Sequence, residues 1–179
     1  MARGNPFDAI VKSAKTIETE GSWEEVESIL GAKLPDDYKK FIGTYGSGAI
    51  AGFVRLFNPF SKRADAQLGR RSLALLEAMH ATKLERHRPF VVIEGAPQGL
   101  LPFGITTAGE SLHWIVAGAP SAWTVAVLEK IDPARKTTAV REFGGSTSAF
   151  LTAVVDGSFS LAGAPADLKT NPRFVADAS

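Results

Sequence analysis

The chain has 179 residues, of which 45% are hydrophobic and 22% charged; these values match an average globular domain and exclude disordered and fibrous classes. Cysteine is absent, which excludes disulfides, thiol nucleophiles and thiolate metal sites. The net charge is +1, but residues 62–88 hold seven Lys and Arg against three acids, so the basic excess is local.

The sequence lacks the signature of a membrane or secreted protein. No stretch approaches about 18 uncharged apolar residues, and the N-terminal segment is charged where a secretory signal would be apolar. We therefore expect a soluble, cytoplasmic protein with no membrane partner. Residues 1–161 are expected to form one domain that includes an N-terminal helix, and residues 162–179 a loosely attached C-terminal tail.

The first predicted helix carries apolar residues at helical spacing from Phe7 to Ile17. Asn5 is available as its N-cap, and Pro6 occupies the first helical position. The sequence therefore predicts that the chain opens with an amphipathic helix.

A second, short helix is expected to begin at Trp23. Ser22 and Glu25 form a capping-box pattern, in which each side chain satisfies a free backbone N–H, and Gly31 supplies the left-handed stop. The predicted core face of this helix consists of Trp23, Val26, Ile29 and Leu30.

A third helix is predicted between Pro35 and Gly46. Asp36 and Asp37 lie at its positive N-terminal end, where carboxylates are favourable. Its apolar face consists of Tyr38, Phe41, Ile42 and Tyr45. Burial of each of these side chains contributes roughly 1.5 to 3 kcal/mol, so we expect this helix to be a principal core contact.

The glycine-rich segment GSGAIAG at residues 46–52 is interpreted as a flexible connector. A dinucleotide-binding loop must follow a strand and open a helix, whereas here a helix precedes and a predicted strand, Phe53 to Phe57, follows. A long helical segment is then expected from Ala64 to Leu84. Its apolar stripe consists of Leu68, Leu75, Leu76 and Met79.

Short strand-like runs occupy residues 90–93, 100–105, 112–116 and 124–128, separated by turns too short for crossover helices. A last helix is expected from Ser146 or Thr147 to Val155. The predicted fold class is therefore α+β, with an antiparallel sheet of about five or six strands flanked by helices.

Two segments together resemble the SUKH superfamily, the Smi-Knr-like proteins, over roughly Trp23 to Phe159. The first is LGAKLPDDYKKFIGTYGSG, and the second is GLLPFGITTAGESLHWIVAGAPSAWTVAVLE with the later FGGSTSAFLTAVVDG. The resemblance implies a SUKH-like fold and a protein-binding role, which in bacteria is commonly the neutralisation of a toxin, often a nuclease, delivered between competing cells.

No set of reacting groups is evident. Glu77 and His80 share one helical face, but a di-iron site needs a second such pair and further carboxylates. A catalytic serine needs an activating base and an oxyanion site. Ser146 follows two glycines, but it stands where a helix N-cap belongs, and we interpret it as a cap. We expect no catalytic residue, no metal site and no cofactor.

Candidate partner contacts are polar residues in or beside turns and strands, namely Glu94, Glu110 and His113, whose side chains are expected to be exposed. Arg70 and Arg71 represent the basic face, which suits an acidic protein surface. No nucleic-acid recognition motif accompanies the basic residues, so we do not expect nucleic acid as the partner. Trp114 and Trp123 are expected in the core.

The sequence therefore predicts a non-enzymatic protein-binding module without a small-molecule substrate. The first hypothesis is an immunity protein that occludes a polymorphic or secreted toxin. Two alternatives stay open: an intracellular scaffold or adaptor that binds endogenous proteins, and a hydrolase that depends on His113 or Glu110.

Overall fold

The computed structural model describes residues 7, 8, 10, 20–84, 86–130, 134 and 137–177. This part of the chain forms an α+β fold, which confirms the predicted class. It contains four α-helices: α1 Trp23–Leu30, α2 Asp36–Tyr45, α3 Leu68–His80 and α4 Thr147–Asp156. One 3-10 turn, Pro120–Ala122, comes just before the strand that begins at Thr124.

The strands of the described residues are more numerous than predicted. They are β1 Gly48–Ile50, β2 Val54–Leu56, β3 Lys83–Leu84, β4 Val91–Ile93, β5 Ala96–Thr106, β6 Ser111–Val116, β7 Thr124–Leu128, β8 Thr137–Thr138, β9 Val140–Phe143 and β10 Phe174–Ala176. Eight of them form an antiparallel sheet in the order β10-β1-β2-β5-β6-β7-β9, with β4 paired to β5. The strands β3 and β8 form a separate parallel pair.

Helix α1 has the predicted caps but not the predicted face. The Ser22 hydroxyl accepts a hydrogen bond of 3.2 Å from the Glu25 N–H, and Gly31 adopts a left-handed φ of 72°. However, Ile29 is 83% exposed, whereas Glu27 on the opposite side is buried. The prediction that Ile29 faces the core is wrong, because ion pairs and a backbone hydrogen bond draw Glu27 inward instead.

Helix α2 is buried along the predicted face, which consists of Tyr38, Phe41, Ile42 and Tyr45. The Tyr38 ring meets the Trp114 ring edge-on, with 4.8 Å between centroids, and its hydroxyl donates to the carbonyl oxygen of Phe57. The helix is therefore joined to the sheet by both packing and a buried hydrogen bond.

The predicted opening helix lies outside the described residues except at positions 7, 8 and 10. Phe7 and Ile10 are buried in the core cluster, and the Tyr45 hydroxyl donates to the Ile10 carbonyl oxygen at 2.9 Å. Phe7 and Ile10 thus contact the core beside α2.

Two predictions for the middle of the chain are wrong. The segment GSGAIAG is not a free connector, because residues 48–50 form the buried strand β1. Gly48 is required there by close approach, since a Cβ atom would lie 2.3 Å from the carbonyl oxygen of Val175. The long helix is also shorter than expected: α3 begins after Gln67, whose side chain accepts a hydrogen bond from the Arg70 N–H, and ends at His80.

The expectation of a loose tail after Ala162 differs from the structure. Strand β10 pairs with β1 over three residues, and Leu168 and Phe174 are buried. The Asp177 carboxylate forms a bidentate ion pair with the Arg55 guanidinium. The segment is held because it covers an edge of the sheet that would otherwise expose unpaired backbone groups.

The central strands are buried on both faces. On β7, Val125 and Val127 belong to the main core beneath α2 and α4, whereas Ala126 and Leu128 belong to a second cluster with Met79 of α3. On β6 and β7 every side chain except Ile115 and Thr124 is buried, and His113 is among the buried ones.

Candidate functional site

Three segments that are far apart in the sequence converge on one cleft with a volume of about 490 Å³. The segment before and at the start of α2 forms one wall, the 3-10 turn with Trp123 forms the second, and the start of α4 forms the third. The lining residues are Lys33, Leu34, Pro35, Asp36, Asp37, Lys39, Pro120, Ser121, Trp123, Ser146, Thr147 and Ser148. These are the segments that carry the resemblance described above.

The first wall is held in place by Glu27, a buried carboxylate on α1. One of its oxygens accepts a hydrogen bond of 2.9 Å from the Leu34 N–H. Ion pairs join it to Lys33 at 2.9 Å and to Lys39 at 2.5 Å. Burial by itself raises the pKa of the Glu27 carboxyl, but the Leu34 amide and the two ammonium groups outweigh it and lower the pKa to about 2. The carboxylate therefore stays charged and fixes the loop between α1 and α2.

The first and third walls are joined by Asp37. Its Oδ2 atom accepts a hydrogen bond of 2.7 Å from the Ser148 N–H, and its Oδ1 atom accepts one of 2.9 Å from the Tyr38 N–H. Ser146 caps α4 as predicted, since its hydroxyl accepts from the Ala149 N–H. Backbone donors at the start of α4 are thus satisfied from within the chain.

Trp123 lines this cleft, and the Trp114 ring packs against it from the core. Trp114 and Trp123 are buried, as expected, with 5.9 Å between ring centroids. The Trp114 indole N–H donates to the Thr147 hydroxyl at 3.0 Å, and the Trp123 indole N–H donates to the Gly118 carbonyl at 3.2 Å. The cleft thus has an aromatic side chain at Trp123 and charged and hydroxyl groups around it.

Several polar groups of the cleft already have partners within the chain. Its two lysines are paired with Glu27, and the Asp37 carboxylate and Ser146 hydroxyl cap helices. Asp36 is fully exposed at the rim, apart from an ion pair of 3.6 Å with Lys39. The cleft thus combines an aromatic side chain with charged and hydroxyl groups.

Glu110 was expected at the surface, and that expectation is wrong. It is only 5% exposed; one carboxylate oxygen accepts from Arg141 at 2.7 Å and the other from the Ala162 N–H at 2.7 Å. The Arg141 guanidinium also lies over the Phe159 ring, 5.1 Å from its centroid. Glu110 therefore fastens β9 and the C-terminal segment to the turn between β5 and β6.

His113 is completely buried, which corrects its expected exposure on a strand face. It lies opposite Pro102 and Ala126 in the register of β5, β6 and β7. Its Nε2 atom is 2.8 Å from the Ser111 hydroxyl, and its Nδ1 atom has no hydrogen-bond partner among the described residues. Burial lowers the pKa of the imidazole from 6.5 to about 3, so the ring is neutral at physiological pH.

The other three candidate residues lie on different elements. Glu94 is exposed at the tip of the β4–β5 hairpin, where it and Gly95 have positive φ values of 51° and 79°. Arg70 is exposed in the first turn of α3, whereas Arg71 is half-buried with its guanidinium 5.6 Å from the centroid of the Phe57 ring. The structure does not assemble the five predicted contacts into one site.

No group of three potential metal ligands occurs in the described ranges, and Glu77 and His80 are both exposed on α3. No helix within these ranges is both long and apolar enough to cross a bilayer.

Sequence reasoning missed a second surface, an apolar groove of about 330 Å³ between α1 and α3. Its walls carry Ile29 and Leu73, which are 83% and 59% exposed, and Phe90 and Leu101 lie beneath them. Helical periodicity placed Ile29 in the core, so the sequence pattern predicted burial where the structure shows exposure.

Comparison with known protein families places most of the chain in one family. A SUKH family model described as SMI1-KNR4 cell-wall matches residues 20–141. No curated protein and no solved structure matches the chain.

Proposed function

The chain belongs to the SUKH family of SMI1-KNR4 proteins, and we propose that it is a non-enzymatic immunity protein that binds and occludes a protein toxin. The partner would be a secreted or polymorphic toxin, and the complex would form in the cytoplasm of the cell that makes this chain. No cofactor takes part.

The observation that carries the proposal is the convergence of the family segments on the cleft. The matched region spans both the loop before α2 and the Trp123 turn, and α4 completes the third wall. Glu27 holds the first wall, and the Asp37–Ser148 hydrogen bond joins it to the third. A preformed surface loses little conformational entropy on binding, which favours affinity.

The two side chains considered for a hydrolase, His113 and Glu110, are enclosed in the fold or already bonded. His113 is neutral and enclosed in the sheet, and Glu110 is bonded to Arg141 and to the backbone of Ala162. A general base must come within hydrogen-bond reach of a substrate proton, and neither side chain reaches the surface. These contacts support binding rather than turnover as the activity.

The test is co-expression with the toxin domain encoded beside the gene for this chain. We expect wild-type protein to restore growth of cells that produce the toxin and to co-purify with it. Ser121→Trp places a bulky side chain at the mouth of the cleft and is expected to weaken the complex by at least about tenfold, since it obstructs close packing.

Ser158→Trp is the matched control, because this exposed serine follows α4 at the end opposite the cleft. It should protect cells as well as wild type does. Failure of the wild-type chain to protect against any neighbouring toxin, together with recovery of a stable endogenous partner from its own cytosol, would reject the immunity role in favour of a scaffold.

A further inference from the structure

Strand β4 exposes three consecutive apolar side chains at an edge of the sheet. Val91, Val92 and Ile93 are 41%, 38% and 52% exposed. Among the described strands β4 pairs with β5 on one side and with none on the other, and this free side is termed the β4 edge. Edge strands usually carry charges that prevent pairing with another chain, as β9 does with Arg141 and Glu142. The β4 edge has no charge within it, and contiguous exposed apolar surface marks an interaction site.

The register of the β4–β5 hairpin turns the backbone of Val92 outward. Val92 lies opposite Pro97, which has no N–H. The two-residue loop Glu94–Gly95, with positive φ at both positions, closes the hydrogen-bonded pair of Ile93 and Ala96. Bonded and non-bonded pairs alternate in an antiparallel ladder, so Val92 and Pro97 form a non-bonded pair. The N–H and C=O of Val92 therefore point away from β5, and no backbone group elsewhere in the described ranges bonds to them.

The charges at the two ends of β4 complement each other. Arg88 lies before the strand and Glu94 after it; both are exposed, and neither has an ion-pair partner among the residues that the structure describes. The nearby Arg86 and His87, in contrast, are paired with Glu142. The strand is thus positive at its start and negative at its end, and a second copy that runs antiparallel to it presents the opposite order.

A two-fold axis at Val92 brings these charges together twice. Glu94 of one copy then lies opposite Phe90 of the other, and Arg88 is its diagonal neighbour at about 7 to 8 Å, within reach of a long side chain. A parallel alignment of the two strands would instead place like charges side by side. Charge complementarity therefore selects a second copy of this chain, in antiparallel orientation, as the occupant of the edge.

We propose that two copies of this chain pair through the β4 edge, antiparallel about a two-fold axis at Val92. The inference goes beyond the proposed function and does not depend on it, because no residue that lines the cleft belongs to β4. A two-fold contact uses the same surface on both copies, so it closes as a dimer and does not propagate into a filament.

Side chains on both faces of the strand take part in this contact. Val91 and Ile93 lie on one face, beside a cavity of about 600 Å³, and pairing places Ile93 of one copy opposite Val91 of the other. Val92 lies on the other face, where its side chain packs against Gly31. The backbone pairing is short, because the Phe90 N–H already donates to the Leu100 carbonyl oxygen at 3.0 Å. We therefore expect a dissociation constant in the micromolar range, with side-chain packing as the main source of affinity.

Sedimentation equilibrium of the full-length chain, over about 1 to 500 μM, gives the first test. The mass should rise from one chain to two. Val92→Pro removes the outward N–H without removing a hydrogen bond of the hairpin, and Val92→Lys places a charge in the edge; each should weaken the dimer at least about tenfold. Val175→Lys is the matched control, since it adds the same charge at an apolar side chain of β10 that is 51% exposed.

Charge reversal tests the orientation. Arg88→Glu and Glu94→Arg each place like charges together in a dimer of the variant, so each alone should dimerise several times more weakly than wild type at low salt. An equimolar mixture of the two variants should form a heterodimer, because both contacts are then between opposite charges. This recovery also shows that both variants are folded. Lys40→Glu reverses an exposed charge on α2 and should leave the dimer unchanged.

The inference is overturned if the wild-type chain stays monomeric over the whole range, if its dimer persists in Val92→Pro and Val92→Lys, or if the mixed charge variants do not associate. A monomer whose Val92→Lys variant loses its toxin complex would assign the edge to the toxin instead of a second copy. A dimer that protects no cell would reject the immunity role alone, and a protective monomer would reject the dimer alone.

Discussion

The Asp37 carboxylate accepts a hydrogen bond from the Ser148 N–H, which joins the first turn of α2 to the first turn of α4 across 111 positions of sequence. Such a contact does two things at once. It satisfies a free backbone donor at the start of α4, and it sets the distance between two walls of the cleft.

Asp37→Ala should therefore destabilise the protein by about 1 to 2 kcal/mol, as expected for the loss of a charge-assisted cap. Asp36→Ala is a close control, because the neighbouring side chain is fully exposed and makes only a long ion pair with Lys39. Its effect should stay within about 0.5 kcal/mol. Urea denaturation of the three proteins measures both values, and equal effects at the two positions would contradict the role given to Asp37.

His113 should make the stability depend on pH. Its pKa is about 3 in the folded protein, against 6.5 for an exposed imidazole, so the unfolded chain binds a proton that the folded chain excludes. The stability is fully present above about pH 6.5 and falls as the pH is lowered towards about 3, by at most about 1.4 kcal/mol per pH unit.

His113→Gln removes this proton uptake. Between about pH 7 and about pH 4.5, wild type should lose about 2.5 kcal/mol more than the variant does. His80→Gln, at an exposed position of α3, should keep the wild-type dependence. Parallel curves for wild type and His113→Gln would show that the imidazole titrates normally and is not enclosed.

Glu27 should act in the same sense as His113, but at lower pH. The pKa of its carboxyl is about 2, below the ordinary 4.5, so its contribution is present above about pH 4.5 and is lost as the pH falls towards about 2. Glu27→Gln should cost about 1 to 3 kcal/mol at neutral pH, because it removes both lysine contacts from a buried position.

The difference between wild type and Glu27→Gln should then shrink in acid, as measured by urea denaturation at several pH values. Glu24→Gln changes an exposed residue of the same helix and serves as control. A difference that stays constant down to about pH 2 would mean that the charge of Glu27 is not what holds the loop.

Phe174 and Val175 are neighbours on β10 with opposite environments. Phe174 is 2% exposed and contacts the rings of Phe41 and Tyr45, whereas Val175 is 51% exposed. Phe174→Ala should cost about 3 to 5 kcal/mol, and Val175→Ala less than about 0.5 kcal/mol. Thermal unfolding distinguishes them; a small effect at Phe174 would restore the interpretation of this segment as a loose tail.

The parts of the fold that the sequence predicted are those specified by residues a few positions apart. The Ser22 and Ser146 caps, the Gly31 stop and the buried face of α2 all depend on contacts within one or two helical turns. The strands β5, β6 and β7 were also indicated by their apolar runs. Local hydrogen bonding and periodicity suffice for these features, whatever the remainder of the chain does.

Only the tertiary structure decided which side of each element is covered. The sequence pattern predicted exposed side chains at His113 and Glu110. In the structure α3 covers the second face of the sheet, and Arg141 pairs with the Glu110 carboxylate. Ile29 follows the period of a core residue, yet Lys33 and Lys39 draw Glu27 inward and turn Ile29 out. Burial and charge pairing are set by partners distant in sequence, and no local pattern encodes them. The sequence alone therefore determined the helix caps, the buried face of α2, the strands β5 to β7 and the family resemblance, while the cleft and the groove were decided by long-range packing.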